Sequence, residues 1–115
     1  MTVVVIEDEP ALGETLRQDL RGDGHTVHLC SKSAALLDEI ARLQPDAILV
    51  NLNLNDRESR ELIRKIRARF AYVYLIVYTS WSAQTVRDEL HPDLVLSQLP
   101  PVWLASQLRC WARHV

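Results

Sequence analysis

Lysine is nearly absent from this chain. Of its 13 basic residues only Lys32 and Lys65 are lysines; the other 11 are arginines, and no lysine follows position 65. Glycine (3) and proline (5) are equally sparse, which excludes a collagen-like repeat, a low-complexity segment and a disordered tail. A basic excess is missing too: 13 cationic against 15 acidic side chains leave a formal charge of -2. A dedicated nucleic-acid binder usually carries such an excess, so direct nucleic-acid binding is not expected. The two cysteines, Cys30 and Cys110, stand far apart with no CxxC or Cys/His spacing. They make neither a zinc site nor a disulfide framework, and read as small buried hydrophobes in a reducing, cytoplasmic setting. His25, His28, His91 and His114 show no ligand spacing either. No apolar run approaches 18 residues, so no membrane span is expected. The start, Met1-Thr2-Val3-Val4-Val5-Ile6, meets acids at once and lacks the basic opening of a signal peptide.

What is present is one domain's worth of patterned sequence. At 115 residues, 48% of them hydrophobic, the chain suits a single domain over 1–115 that buries roughly 65% of its unfolded surface. Val3-Val4-Val5-Ile6 is β-branched and does not alternate, the mark of a strand covered on both faces. From Ala11 the period changes. Leu12, Leu16 and Leu20 recur every four residues, an amphipathic helix stopped at Gly22-Asp23-Gly24.

A short strand at 27–30 follows. Ser33 is placed to cap a second helix carrying Leu36, Leu37, Ile40 and Leu43, which ends before Pro45. Residues 47–52 form a third apolar run and 53–59 a polar loop. A third helix comes next, with Leu62, Ile63, Ile66 and Phe70 inward and Arg60, Arg64 and Arg67 outward. Strands at 73–78 and 94–97, helices at 82–90 and 102–113, and the Pro100-Pro101 break complete the pattern.

Five strand–helix alternations with short links predict an α/β fold, a doubly wound five-stranded parallel sheet. Sites in such sheets lie beyond the carboxyl ends of the strands, here Glu7-Asp8, Asn51, Thr79 and the Gln98-Leu99 region.

Four segments in order give the chain a family likeness: Val3–Pro10 with its acidic pair, Pro45-Asp46-Ala47-Ile48-Leu49-Val50-Asn51-Leu52-Asn53-Leu54, Glu61–Arg67, and Thr79-Ser80 with Pro100. Together they resemble the receiver domains of two-component response regulators, of (βα)5, flavodoxin-like topology. That resemblance implies phosphoryl transfer to an aspartate, with Mg²⁺ held by that carboxylate, the acidic pair and a backbone carbonyl. A hydroxyl and a lysine hold the phosphoryl oxygens. Each part has a physical reason: a carboxylate nucleophile, hard oxygen ligands for Mg²⁺, and donors for developing charge.

Carried over residue by residue, Glu7 and Asp8 match the acidic pair, Thr79 the hydroxyl, and Asn53 the position that supplies a main-chain carbonyl. The phosphoacceptor position is Asn51, whose amide cannot form an acyl phosphate. The lysine position falls on Gln98 or Leu99, and no shift of register restores a lysine. Val95 and Leu96 stand where an aromatic is usual, and Ser59 replaces the loop glycine. Engineering one site would not remove all of these, so the chain resembles a pseudo-receiver, with at most weak or vestigial Mg²⁺ binding at Glu7 and Asp8 and no other cofactor.

Plainer roles are expected for several of these groups: Asn51 bonding loop amides, Asp56 as an exposed loop acid, Thr79 as a structural hydroxyl, and the arginines of 57–69 as a solvated face. Trp81, Trp103 and Trp111 all follow residue 80. Trp81 opens the fourth helix, while Trp103 and Trp111 lie about 80° apart around the last helix. They are candidates for an interface, since the family pairs through its fourth helix, fifth strand and fifth helix. The expected function is non-enzymatic signalling by protein–protein contact, with a histidine kinase, an output domain or a second copy as partner. Two alternatives stand beside it: the regulatory domain of a longer DNA-binding transcriptional regulator, and a small flavodoxin-like ligand-binding domain.

Overall fold

A computed structural model describes residues 1–22 and 24–96. Nine elements follow in alternation. They are β1 (Thr2–Glu7), α1 (Pro10–Gly22), β2 (Thr26–Cys30), α2 (Leu36–Leu43), β3 (Ala47–Asn51), α3 (Arg57–Arg69), β4 (Tyr74–Tyr78), α4 (Ala83–Leu90) and β5 (Leu94–Leu96). All strand pairs are parallel, in the order β2-β1-β3-β4-β5. Gln98, Leu99, Trp103, Trp111, Cys110 and the expected last helix lie outside the described residues.

Pleating divides the core into two layers. Val4, Ile6, Ile48, Val50, Leu75 and Val77 meet Leu36 and Ile40 of α2, Ile63 and Ile66 of α3, and Val86 and Leu90 of α4. Their neighbours Val3, Val5, Ala47, Leu49 and Ile76 point the other way, onto Leu16 and Leu20 of α1. Val3 to Ile6 are all fully buried. A strand with both faces covered has no polar face to alternate with, so the apolar run is unbroken.

Three local expectations are corrected. Ser33 does not cap α2. That helix starts three residues later at Leu36, its N-cap Ala35 offers no side-chain bond, and Ser33 contributes only its carbonyl, to Leu36 N at 3.2 Å. Helix α3 starts within the expected polar loop, because the Asp56 side chain accepts from Glu58 N at 3.1 Å and makes Asp56 the N-cap. Ser59 is therefore a buried helical residue, 1% exposed, rather than part of a loop.

Arg67 does not point into solvent. Its guanidinium donates to the carbonyls of Val73 (2.6 Å), Ala71 (3.3 Å) and Phe70 (3.4 Å) and to Asp93 Oδ2 (2.9 Å). The same Asp93 oxygen accepts from Leu75 N at 2.8 Å. One side chain thus fastens the end of α3 and the turn after it to the segment that leads into β5.

Candidate functional site

The register of β1 against β3 sets Glu7 opposite Asn51, each the last residue of its strand. The side chains meet there: Asn51 Nδ2 donates to Glu7 Oε2. Glu7 Oε1 accepts from the main chain of Glu9 at 2.9 Å. Helix α1 packs close enough that a Cβ on Gly13 would lie 3.4 Å from Glu7 Cγ. The absent side chain leaves room for the Glu7 stem.

Burial pushes the Glu7 carboxyl above its ordinary value of 4.5, and the charges of Asp8 and Glu9 push the same way. The Glu9 N–H and the Asn51 amide pull it down, without reversing the shift. Facing a carboxylate, the Asn51 amide must present its NH₂ group, so its carbonyl is turned away from the acid. Asn51 thus bonds a side-chain carboxylate, not the loop amides expected from the sequence.

Asp8 sits beside this pair and is exposed. Asn53, whose main chain would supply a neutral ligand, has its carbonyl bonded by Asp56 N at 3.1 Å. Mg²⁺ needs near-octahedral hard oxygen ligands, usually with more than one free carboxylate. Here one carboxylate has both oxygens in use and the third position carries a donor. Among the described residues no group of three His, Cys, Asp or Glu side chains could hold a metal ion. The donor set does not fit the divalent ion that the family resemblance implies.

Thr79, one residue beyond β4, is buried. Its Oγ1 accepts from Trp81 N at 3.0 Å, and its own N–H donates to Leu96 O at 2.9 Å. Its hydroxyl therefore shapes the turn into α4. Trp81 precedes that helix rather than opening it: Ser82 is the N-cap, accepting from Thr85 N at 3.1 Å. The indole is half-buried against the core layer shared by α2, α3 and α4. Arg60 lies over it at 5.9 Å and donates to Leu54 O at 2.6 Å. Arg60, expected to point outward, instead joins the β3–α3 loop to the turn after β4.

Asp56 is not a free loop acid. Lys32 Nζ lies 2.8 Å from its Oδ2 and 3.2 Å from Ser59 Oγ, and Ser59 Oγ donates to the same Oδ2 at 3.3 Å. The ammonium and the Glu58 N–H hold the Asp56 carboxyl below its ordinary 3.8, and Asp56 raises Lys32 above 10.5. Lys32 and Ser59 had no assigned role in the sequence reading beyond the lysine count and the lost glycine. The scarcity of lysine was the available signal. Beside this cluster a cleft of about 320 Å³ opens between α2 and α3, lined by Lys32, Ala34, Leu37, Glu58, Leu62 and Lys65 among others. It does not reach Glu7 or Asn51. Cys30 is buried, with its thiol pushed up to about 11 by desolvation and by Glu39, so it stays protonated and unreactive.

A five-stranded parallel sheet in the order 2-1-3-4-5, with Glu7 and Asn51 meeting at its switch point, defines a flavodoxin-like α/β domain. Residues 3–95 match the family model "Response regulator receiver domain", and the chain belongs to that family. It is 35% identical over 83 residues to the KDP operon transcriptional regulatory protein KdpE of Escherichia coli K12, covering 72% of this chain and 36% of that protein. It is 29% identical over 80 residues to the response regulator MprA of Mycobacterium avium strain 104, covering 70% of this chain and 35% of the relative. The matched part of the chain thus spans about a third of the length of these relatives. The BeF₃-activated N-terminal receiver domain of Klebsiella pneumoniae RstA shares the fold, with a TM-score of 0.80, 22% identity, and coverage of 96% of this chain and 97% of that one. No helix among the described residues is long and apolar enough to cross a membrane.

Proposed function

We propose that this receiver domain is a pseudo-receiver, a non-enzymatic cytoplasmic module that signals by protein–protein contact without phosphorylation at the end of β3. One observation carries the reading: the amide of Asn51, which the family resemblance puts at the phosphoacceptor position, donates to Glu7. A carboxylate oxygen there would be the nucleophile; an amide nitrogen sharing its proton with a neighbouring acid is not one. The absence of lysine after position 65 supports the same conclusion, whichever of Gln98 or Leu99 takes the lysine position. Of the four pocket residues Glu7, Asp8, Asn51 and Thr79, Glu7 and Asn51 are bonded to each other and Thr79 to the turn into α4, with cation binding at Glu7 and Asp8 at most vestigial.

Contact is assigned to a histidine kinase, an output domain or a second copy, through the face formed by α4, β5 and the segment after it, with Trp81, Trp103 and Trp111 as anchors. A second reading concerns the output. The matched stretch is only 35–36% of these relatives, which are therefore about twice as long as this chain, and one is named as a transcriptional regulator, which favours this chain as the regulatory part of a longer DNA-binding protein. The coding sequence after Val115 decides that point.

Incubation of the chain with acetyl phosphate and Mg²⁺, followed by intact mass, tests the main reading. No phosphorylated species is expected at any time point. A stable gain of one phosphoryl group overturns it.

A further inference from the structure

The Lys32 cluster joins two segments 24 positions apart in sequence, and every polar atom of its acceptor is already placed. Asp56 Oδ1 accepts from Glu58 N at 3.1 Å, the Asp56 main-chain N donates to Asn53 O at 3.1 Å, and its carbonyl accepts from Arg60 N at 3.2 Å. Only Oδ2 remains, and it receives the Lys32 ammonium and the Ser59 hydroxyl. Ser59 is itself buried, so the hydroxyl has no solvent alternative. A preorganised acceptor of this kind loses little entropy when the ammonium docks.

The position is telling. Lys32 follows the carboxyl end of β2, and Asp56 follows that of β3. This is the sheet edge where a divalent cation would join carboxylates from neighbouring loops, yet Glu7 is already bonded by Asn51 and Glu9 N, and the Asn53 carbonyl by Asp56 N.

We propose that the Lys32 ammonium is this chain's resident counter-cation, tying the β2–α2 connection to the β3–α3 loop and the start of α3 so that this loop is organised without a divalent ion. The inference does not rest on the absence of phosphorylation. It concerns the loop's order, and its readout contains no phosphoryl donor, so either can fail alone.

Peptide-resolved amide hydrogen exchange on the whole chain, with and without millimolar MgCl₂, tests it. Lys32→Met keeps the aliphatic stem and removes the charge. Amides of residues 53–60 are expected to exchange about tenfold faster in this variant, the scale of one lost charge-assisted bond, while β1 and β3 stay unchanged. Asp56→Asn retains a cap-forming side chain but loses the ion pair. It should match Lys32→Met, and the double variant should go no further.

Mg²⁺ should leave the wild-type loop unaltered. Loop exchange within about twofold of wild type in Lys32→Met, additive effects of the two substitutions, or wild-type loop protection that rises with Mg²⁺ would each overturn the proposal. If Lys32→Met loosens the whole domain, Ser59→Ala, which removes only the hydroxyl leg, decides: faster exchange confined to 53–60 supports the tie, and no change there refutes it.

Discussion

Asn51→Asp is expected to lower the unfolding free energy by about 2 kcal/mol at neutral pH, after allowance for the partial exposure of the site. The substitution restores the family's usual residue type, yet here it removes the donor that satisfies Glu7 Oε2 and sets a second anion in its place. Glu7 is already poorly placed to ionise: burial raises it, and Asp8 and Glu9 add to the rise. Three acids at one strand end cannot all ionise cheaply, and the new pair shares its protons and titrates as a unit.

The sign of the pH dependence follows. A carboxyl whose folded pKa lies above its unfolded value of about 4.5 costs stability above the folded pKa, and the cost fades as pH falls through it. The deficit of Asn51→Asp should therefore be full at pH 7 and shrink on acidification. Mg²⁺ should also shrink it, because a third carboxylate supplies the hard oxygen that the wild type lacks, while the wild type stays unmoved. Urea unfolding of both proteins at two pH values, with and without Mg²⁺, reads all of this. Equal stability of the two proteins at neutral pH would show that the Asn51–Glu7 bond does not hold the pocket together.

Much of the fold was legible because burial leaves periodic marks. The unbroken run at Val3–Ile6 reports a strand covered twice, and Leu16 and Leu20 report the face of α1. Glu7 and Asn51 were legible as neighbours because both end their strands. What stayed hidden is non-periodic. Asp56 capping α3 depends on one side chain and the N–H two residues on, and the surrounding Asn53-to-Ser59 stretch reads as loop by composition. The partnership of Lys32 with Asp56 spans 24 positions and leaves no local pattern. Arg60 and Arg67 look outward by charge alone. Their long apolar stems let the guanidinium return to backbone carbonyls, which no hydropathy pattern records. Arginine rather than lysine suits this use, since its planar fork serves several acceptors at once.

Arg67→Ala is expected to cost about 3 kcal/mol, more than any other single surface change. The guanidinium serves the carbonyls of Phe70, Ala71 and Val73, and holds the Asp93 carboxylate that also receives Leu75 N. Truncation leaves the part-buried carbonyls of Phe70 and Val73 without this donor and frees the acid that positions the start of β4. The penalty is therefore that of abandoned acceptors, not of one lost ion pair. Arg67→Lys should recover only part of it, because a single ammonium cannot span the carbonyl cluster and Asp93 together. Arg64→Ala provides the contrast. Arg64 lies one turn earlier on α3, and its partners Glu61 and Glu89 are half-exposed. Its loss should cost no more than about 1 kcal/mol. Denaturant titrations of the three variants should shift the midpoint without changing the slope, since the same surface is exposed on unfolding. An Arg67→Ala deficit no larger than that of Arg64→Ala would mean that the end of α3 is held by core packing alone.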